Sequence, residues 1–166
     1  MKIVIISDLH DNIFNLEKLL NWCQKNKISK IICCGDVCSA ATLKFLSAQF
    51  NGEIFLVLGN GDFYEKKDYQ KMKNVRYYGL VGEEKISGLN FIFSHYEKEI
   101  KKELEVSKEK FDFAFYGHSH KPWLEKKGKL ILANPGNLAG IFYNPTFAVL
   151  DTTTKNLELK ILDETF

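Results

Sequence analysis

Arginine is almost missing from this chain: Arg76 is the only one among 23 basic residues in 166. That excludes a phosphate or carboxylate site built on several bidentate guanidinium clamps. An anion must instead be held by metal, backbone amides, histidine or lysine. Charge of one sign is also scarce. The formal net charge is +2, and the pairs Lys66-Lys67, Lys101-Lys102 and Lys126-Lys127 sit beside Glu or Asp. This reads as solvated surface, with no nucleic-acid track. No apolar run approaches the ~20 residues of a membrane helix. With only three prolines, there is no proline-rich linker, and neither an internal repeat nor a low-complexity segment is visible. The four cysteines are Cys23, Cys33, Cys34 and Cys38. Cys33 and Cys34 lie in an apolar strand and read as small core hydrophobes. The spacing of Cys34 and Cys38 matches no standard pair of thiolate ligands to zinc. Met1-Lys2 runs straight into a short strand, too short for a signal segment, so a reducing, cytoplasmic setting is expected.

Hydrophobic residues make up 45% of the chain, enough for a substantial core, and a single domain over 1–166 is expected. The first third alternates strand and helix. Strand 3–7 precedes a helix over 11–26, with Ile13, Phe14, Leu16, Leu19, Leu20 and Cys23 at helical spacing and Asp11 or Asn12 as its cap. Strand 30–34, a helix over about 40–49 and strand 53–58 follow. This repetition predicts parallel pairing with both sheet faces covered. The segment 63–73 reads as a short irregular helix. Strand 74–78, a hairpin of 83–87 with 89–94, and a polar helix over 98–106 come next. The last third turns to β: 111–116, then 123–126 with 129–133, then 146–151 with 157–163. Parallel units followed by hairpins predict a mixed sheet, or two sheets packed face to face, with outer helices.

Four histidines are present, and all sit at or just beyond the ends of apolar strands. The runs ending at Ser7, Cys34, Leu58, Phe93 and Tyr116 lead into Asp8 and His10, Gly35-Asp36, Gly59-Asn60, His95, and Gly117-His118-Ser119-His120. Ligands collect at the carboxyl ends of strands in sheet enzymes with helical crossovers. Asp8 and His10, two residues apart just past a strand end, converge on one ion; His118 and His120 repeat that spacing. Asp36 can bridge two ions with its two oxygens, and Asn60 is a neutral oxygen donor. This nitrogen/oxygen set without thiolate suits Mn, Ni, Fe, Co or Zn. Seven ligands are too many for one tetrahedral ion. They divide naturally into Asp8, His10, Asp36 and His120 for one ion, and Asp36, Asn60, His95 and His118 for the other. Two divalent ions against two aspartates leave positive charge to attract a phosphate oxyanion. The glycines before the ligands permit close backbone approach. Asn134-Pro135-Gly136-Asn137 reads either as a far wall with exposed amides or as an ordinary turn.

The ordered set Asp8-x-His10, Gly35-Asp36, Gly59-Asn60-x-Asp62, His95 and Gly117-His118-x-His120, with Asn134-Pro135-Gly136 after it, resembles the calcineurin-like metallophosphoesterase superfamily. The chain's short length is similar to the compact YfcE-like phosphodiesterase branch. The resemblance implies an α/β (mixed α+β) four-layer αββα sandwich with two mixed β-sheets and a centre of two divalent metal ions. It also implies hydrolysis of a small phosphoester, most often a diester, through in-line attack by a hydroxide between the ions. Asp36, Asn60 and His95 are then the residues closest to the chemistry. Many members carry a histidine after the asparagine, toward the leaving group; here that position is Gly61. Activated aryl diesters should suffer least from its loss. Asp62 then becomes a supporting residue. After His95, where relatives often carry Gly-His, this chain has Tyr96-Glu97, and Tyr96 takes a pocket-wall role. Phe63, Tyr64, Tyr69, Tyr77 and Tyr78 are expected to pack more than to line a mouth. Trp123 is expected to pack or to anchor a homo-oligomer interface. The competing function is a scaffold, since a retromer-coat subunit has this same fold; the intact ligand set argues against it.

Overall fold

A computed structural model describes residues 1–165. Two sheets carry the fold. The first has the order β11-β10-β1-β2-β3-β4. Its parallel strands are β1 (Lys2–Ile6), β2 (Lys30–Cys33), β3 (Glu53–Leu56) and, at the edge, β4 (Val75–Tyr77). β10 (Thr146–Asp151) joins β1 antiparallel, and β11 (Asn156–Ile161) joins β10 antiparallel. The second sheet has the order β5-β6-β7-β9-β8, from β5 (Val81–Ile86), β6 (Leu89–Ser94), β7 (Phe113–Phe115), β9 (Leu130–Asn134) and β8 (Trp123–Lys127). Both sheets are mixed, because β6, β7 and β9 run parallel while β5 and β8 pair antiparallel.

Strand alternation builds the layers. Side chains point to opposite faces along a strand, so Ile3 and Ile5 face the second sheet while Val4 and Ile6 face helices. The same split divides Ile32 and Cys34 from Ile31 and Cys33, and Phe55 and Val57 from Ile54 and Leu56. Between the sheets, Phe91, Phe113 and Phe115 stack with ring centroids 5.6 to 6.2 Å apart. On the outer face of the first sheet lie α1 (Ile13–Lys25), through Leu16, Leu19, Leu20 and Cys23, and α2 (Ala40–Gln49), through Leu43 and Leu46. Ile100 of α4 (Glu97–Val106) packs on Ile92, Ala114 and Leu132 outside the second sheet. The arrangement is therefore αββα.

Local capping starts the helices where ligand loops end. The Asn12 side chain accepts from Asn15 N at 3.0 Å, and the Ser39 hydroxyl from Thr42 N at 3.2 Å, each satisfying a first-turn N–H. Some elements are shorter than their apolar runs predict. β3 stops at Leu56 although Val57 and Leu58 continue the apolar run, because the chain there turns into the ligand loop. β7 covers only 113–115 of the apolar 111–116 run. The irregular segment 63–73 contains just α3 (Lys66–Tyr69). β11 ends at Ile161 and hands over to a 3-10 turn, Leu162–Glu164. None of the helices described is long and apolar enough to cross a membrane.

Candidate metal centre

The carboxyl ends of β1, β2 and β3 open beside those of β6 and β7, and the chain turns abruptly at each. Asp8, His10, Asp36, His118 and His120 all have left-handed backbones, with φ between 42° and 66°. Asp and His tolerate this region better than most residues, yet it carries strain that surrounding structure must hold. Backbone bonds do so: Asp8 N donates to Gly35 O at 3.0 Å, and Leu9 N and His10 N both donate to Asp36 O, at 2.8 and 3.0 Å. Gly117 N donates to His95 O at 3.1 Å, which ties the two loops of the second sheet together.

These turns aim the side chains inward. Asp8, His10 and His120 form one cluster; Asp8, Asp36 and His95 form a second that shares Asp8. The Nε2 atoms of His10 and His120 are 3.1 Å apart. Asp8 Oδ1 lies 3.3 Å from His120 Nε2 and 3.8 Å from His10 Nε2. Asp36 Oδ2 lies 3.5 Å from His95 Nε2 and 3.7 Å from His10 Nε2, between imidazoles of both clusters. Asn60 joins through Oδ1, 3.0 Å from His95 Nε2. His118 is exposed and in neither cluster; its ring packs 5.1 Å from that of His95 and 4.7 Å from that of Tyr96. Its backbone N–H donates to Asp8 Oδ2 at 3.1 Å.

His95 is fully buried, and its Nδ1 meets the Cys34 carbonyl at 2.8 Å. A carbonyl only accepts, so Nδ1 carries the proton and the Nε2 lone pair faces inward. That lone pair meets Asn60 Oδ1 and Asp36 Oδ2, two further acceptors. Across the same space, buried Asp8 Oδ1 has no hydrogen-bond partner. Acceptors aimed at one another without a donor are unfavourable unless a cation sits among them. The residues therefore fit divalent metal, with oxygen and imidazole donors and no thiolate. The electrostatics divide the histidines: the adjacent Asp8 carboxylate pushes the pKa of His120 up, while partial desolvation and the nearby imidazole of His95 pull that of His118 down.

A supporting layer holds this arrangement. Asp62 accepts from Gly59 N at 2.7 Å, Cys38 N at 2.8 Å, Asp36 N at 3.2 Å and the Tyr64 hydroxyl at 3.0 Å. One carboxylate thus fastens the loops of Asp36 and Asn60 together. The Tyr96 hydroxyl donates to Asn60 Oδ1 at 3.1 Å, a direct contact with a ligand residue where a wall was expected. Residues 134–137 are buried, so the exposed-amide wall is not formed. Instead Asn134 Nδ2 donates to Gly117 O at 2.9 Å and Asn137 Nδ2 to His120 O at 3.2 Å, buttressing the histidine loop from behind. Cys38 Sγ lies 3.5 Å from His10 Nδ1, a neighbour the spacing of cysteines did not reveal. The aromatics mostly pack: Tyr64 is buried, Tyr69 and Tyr77 stack at 4.3 Å, and Tyr78 lies edge-on to Phe93 at 5.2 Å. Phe63 is the exception and is exposed.

A nitrogen/oxygen cation nest where two packed mixed sheets run out defines a class of metal-dependent phosphoester-handling folds. Residues 1–155 match the calcineurin-like phosphoesterase superfamily domain, and the chain belongs to that family. It is similar to phosphodiesterase MJ0936 of Methanocaldococcus jannaschii, 27% identical over 167 residues, covering 98% of this chain and all of that one. A solved structure of a novel archaeal phosphodiesterase superposes with a TM-score of 0.86 at 25% identity, covering 97% of this chain and 99% of that one. The E. coli phosphoesterase YfcE superposes with a TM-score of 0.69 at 17% identity over 98% of this chain and 100% of that one. Vps29 of Chaetomium thermophilum does so at 0.69 and 17%, over 96% of each. The last two likenesses establish the fold alone.

Proposed function

We propose that this chain hydrolyses a small phosphoester, in the first instance a phosphodiester, at a centre of two divalent ions. Asp8, His10, Asp36 and His120 would hold one ion, and Asp36, Asn60, His95 and His118 the other, with Mn, Ni, Fe, Co or Zn compatible. The observation that carries the reading is the convergence of His95 Nε2, Asn60 Oδ1 and Asp36 Oδ2 with no proton between them. Bound there, divalent ions supply Lewis acidity toward phosphate oxygens and lower the pKa of water.

The chain's own groups do the rest. The Cys34 carbonyl fixes the His95 tautomer, so that its lone pair is ready without reorganisation. Asp36, Asn60 and His95 therefore stand closest to the reacting phosphorus. Asp62 keeps the Asp36 and Asn60 loops in register, and the Tyr96 hydroxyl orients the Asn60 amide. No imidazole stands at Gly61, so nothing there donates a proton to the leaving oxygen. Leaving groups that need little protonation are favoured.

We read the whole as one cytoplasmic domain. Trp123, exposed on edge strand β8, is the anchor we infer for a homo-oligomer. The test is bis-p-nitrophenyl phosphate hydrolysis by protein stripped of metal and reloaded, with Mn or Ni expected to restore turnover. No hydrolysis with any of Mn, Ni, Co, Mg and Zn would overturn the reading in favour of a metal-binding scaffold.

A further inference from the structure

Phe142 is 90% exposed, the most of any large apolar side chain among the described residues. Its φ of 64° lies in the left-handed region, which a bulky aromatic residue rarely adopts. The loop that carries it is nonetheless firmly held. Ile141 N donates to Asn137 Oδ1 at 2.7 Å, and Asn137 Nδ2 donates to the His120 carbonyl at 3.2 Å. Ala139 N donates to the Asp8 carbonyl at 3.1 Å, and Asn12 Nδ2 to the Ala139 carbonyl at 2.9 Å. The loop is thus bonded directly to the backbone of two residues of the metal centre. Its aromatic ring stands 6.2 Å from the ring of His120, tilted by 39°.

An apolar ring exposed to this degree contributes almost nothing to the core. A strained backbone held beside a functional centre points to a ligand contact. The rest of the chain narrows what that contact recognises. Arg76 is engaged by Glu53 and Glu84, so no guanidinium is free to read an ester substituent. Gly61 offers no side chain at all. Discrimination beyond the phosphate then falls to apolar surface at the rim, and a flat aromatic face selects flat partners.

Resting on the phosphoesterase reading above, we propose that Phe142 is a specificity-determining residue, a stacking platform for a planar aromatic group esterified to the phosphate. A ring joined to the phosphate directly, as in an aryl ester, and one joined through a sugar, as in a nucleotide, share this chemistry. A methyl or other small alkyl ester lacks it. Stacking on one face of a single exposed ring corresponds to a preference of about fivefold to tenfold.

The test is calorimetric binding to Mn-loaded protein, comparing phenyl phosphate with methyl phosphate, and adenosine 5′-monophosphate with ribose 5-phosphate. Wild type should favour the aromatic member of at least one pair by about fivefold or more. The pair that responds tells an aryl group from a nucleobase. Phe142→Ala, which keeps the same backbone demand, should erase the preference, and Phe142→Trp should retain it. Equal binding within both pairs, or an unaltered preference in Phe142→Ala, overturns the proposal. So does loss of self-association in Phe142→Ala with ligand binding intact, which would assign the ring to a second copy of the chain. Hydrolysis of bis-p-nitrophenyl phosphate is measured alongside. Turnover without a Phe142-dependent preference refutes the platform and spares the hydrolase. A Phe142-dependent preference without turnover refutes the hydrolase and spares the platform.

Discussion

Gly59→Ala is the sharpest perturbation of the centre that replaces no ligand. A Cβ at position 59 would lie 2.1 Å from Asp36 Oδ1, 2.3 Å from Asp36 N and 2.9 Å from Asp36 Cγ. These are not yielding neighbours: one is backbone, and the carboxylate is only 2% exposed. Asp36 Oδ1 also accepts from Gly61 N at 2.7 Å, and Asp36 N is bonded to Asp62. Overpacking of this kind costs roughly 1–3 kcal/mol, and disrupting hydrogen bonds to a buried carboxylate adds about 1–2 kcal/mol. Together they amount to about 3 kcal/mol, or a Tm lowered by about 6–12 °C for a chain of this size. Asp36 must swing away, so metal content measured by mass spectrometry should fall with it. Gly128→Ala is the control. Its φ is +62° with nothing within 4 Å of the added Cβ, so it costs only the left-handed backbone, roughly 1–2 kcal/mol, and leaves metal untouched. Full metal content and a wild-type Tm in Gly59→Ala would refute the reasoning.

Asp36→Ala and Asn60→Ala should each abolish hydrolysis of bis-p-nitrophenyl phosphate, and Asp36→Ala should also lower bound metal; unchanged turnover in both would reject the assigned centre. The four thiols should be nearly inert in the native protein. Burial pushes Cys23 up to about 12, burial and the carboxylates around Cys38 push it to about 12, and burial raises Cys33 and Cys34 as well. Since the thiolate is the nucleophile, Ellman's reagent at pH 8 should react with all four only after unfolding in guanidinium, and one fast native thiol would contradict this. Glu53 tests acid stability. Its hydrogen bond from Lys30, reinforced by Arg76, holds its carboxyl below the ordinary value. The folded pKa is therefore lower than the unfolded one. The stabilisation is present above the unfolded value and is lost as pH falls through the folded value. Glu53→Gln should cost at most about 1 kcal/mol at pH 7, as expected for an exposed pair, and nothing measurable in acid below the folded pKa. A loss equal at both pH values would point to packing instead.

Much of the centre is readable because its chemistry is concentrated at strand ends. An apolar run of four or five residues followed by Gly-Asp, Gly-Asn or Gly-His marks both the end of a strand and a donor on the same side of the sheet. The glycines bear this out. A Cβ at Gly117 would meet Ser7 Oγ at 1.8 Å, and one at Gly35 would meet Gly59 N at 2.7 Å. What the sequence conceals is non-local. β10, late in the chain, returns to pair with β1, while β7 and β9 pair in the other sheet across the intervening β8. Hydrophobic period says which face of a strand is buried, but not which strand lies beside it. Asp62 was legible as a supporting residue but not as the acceptor of three backbone N–H groups. The Cys38 contact and the Phe142 ring were missed for the same reason, since each depends on a loop conformation with φ of +78° or +64° that no periodic pattern announces. Gly140, two residues before Phe142, was the available signal for the second.

The absence of an imidazole at position 61 has a cause beyond local preference. No left-handed φ demands glycine there. A Cβ would instead meet Cys38 Sγ at 3.2 Å and the Asp36 carboxylate at 3.3 Å. The thiol that lies against His10 Nδ1 thus also crowds the space that a leaving-group acid would need. Contacts of this length require the neighbour to retreat by a few tenths of an ångström, and of the two only Cys38 is free to change. Gly61→His alone should then disturb Asp36 and lower metal content. Paired with Cys38→Ala, it should keep metal and raise turnover of an alkyl ester relative to bis-p-nitrophenyl phosphate, because a poor leaving group gains most from a proton donor. If Gly61→His by itself retained full metal and produced the same gain, Cys38 would not be the obstacle, and glycine at this position would need another explanation.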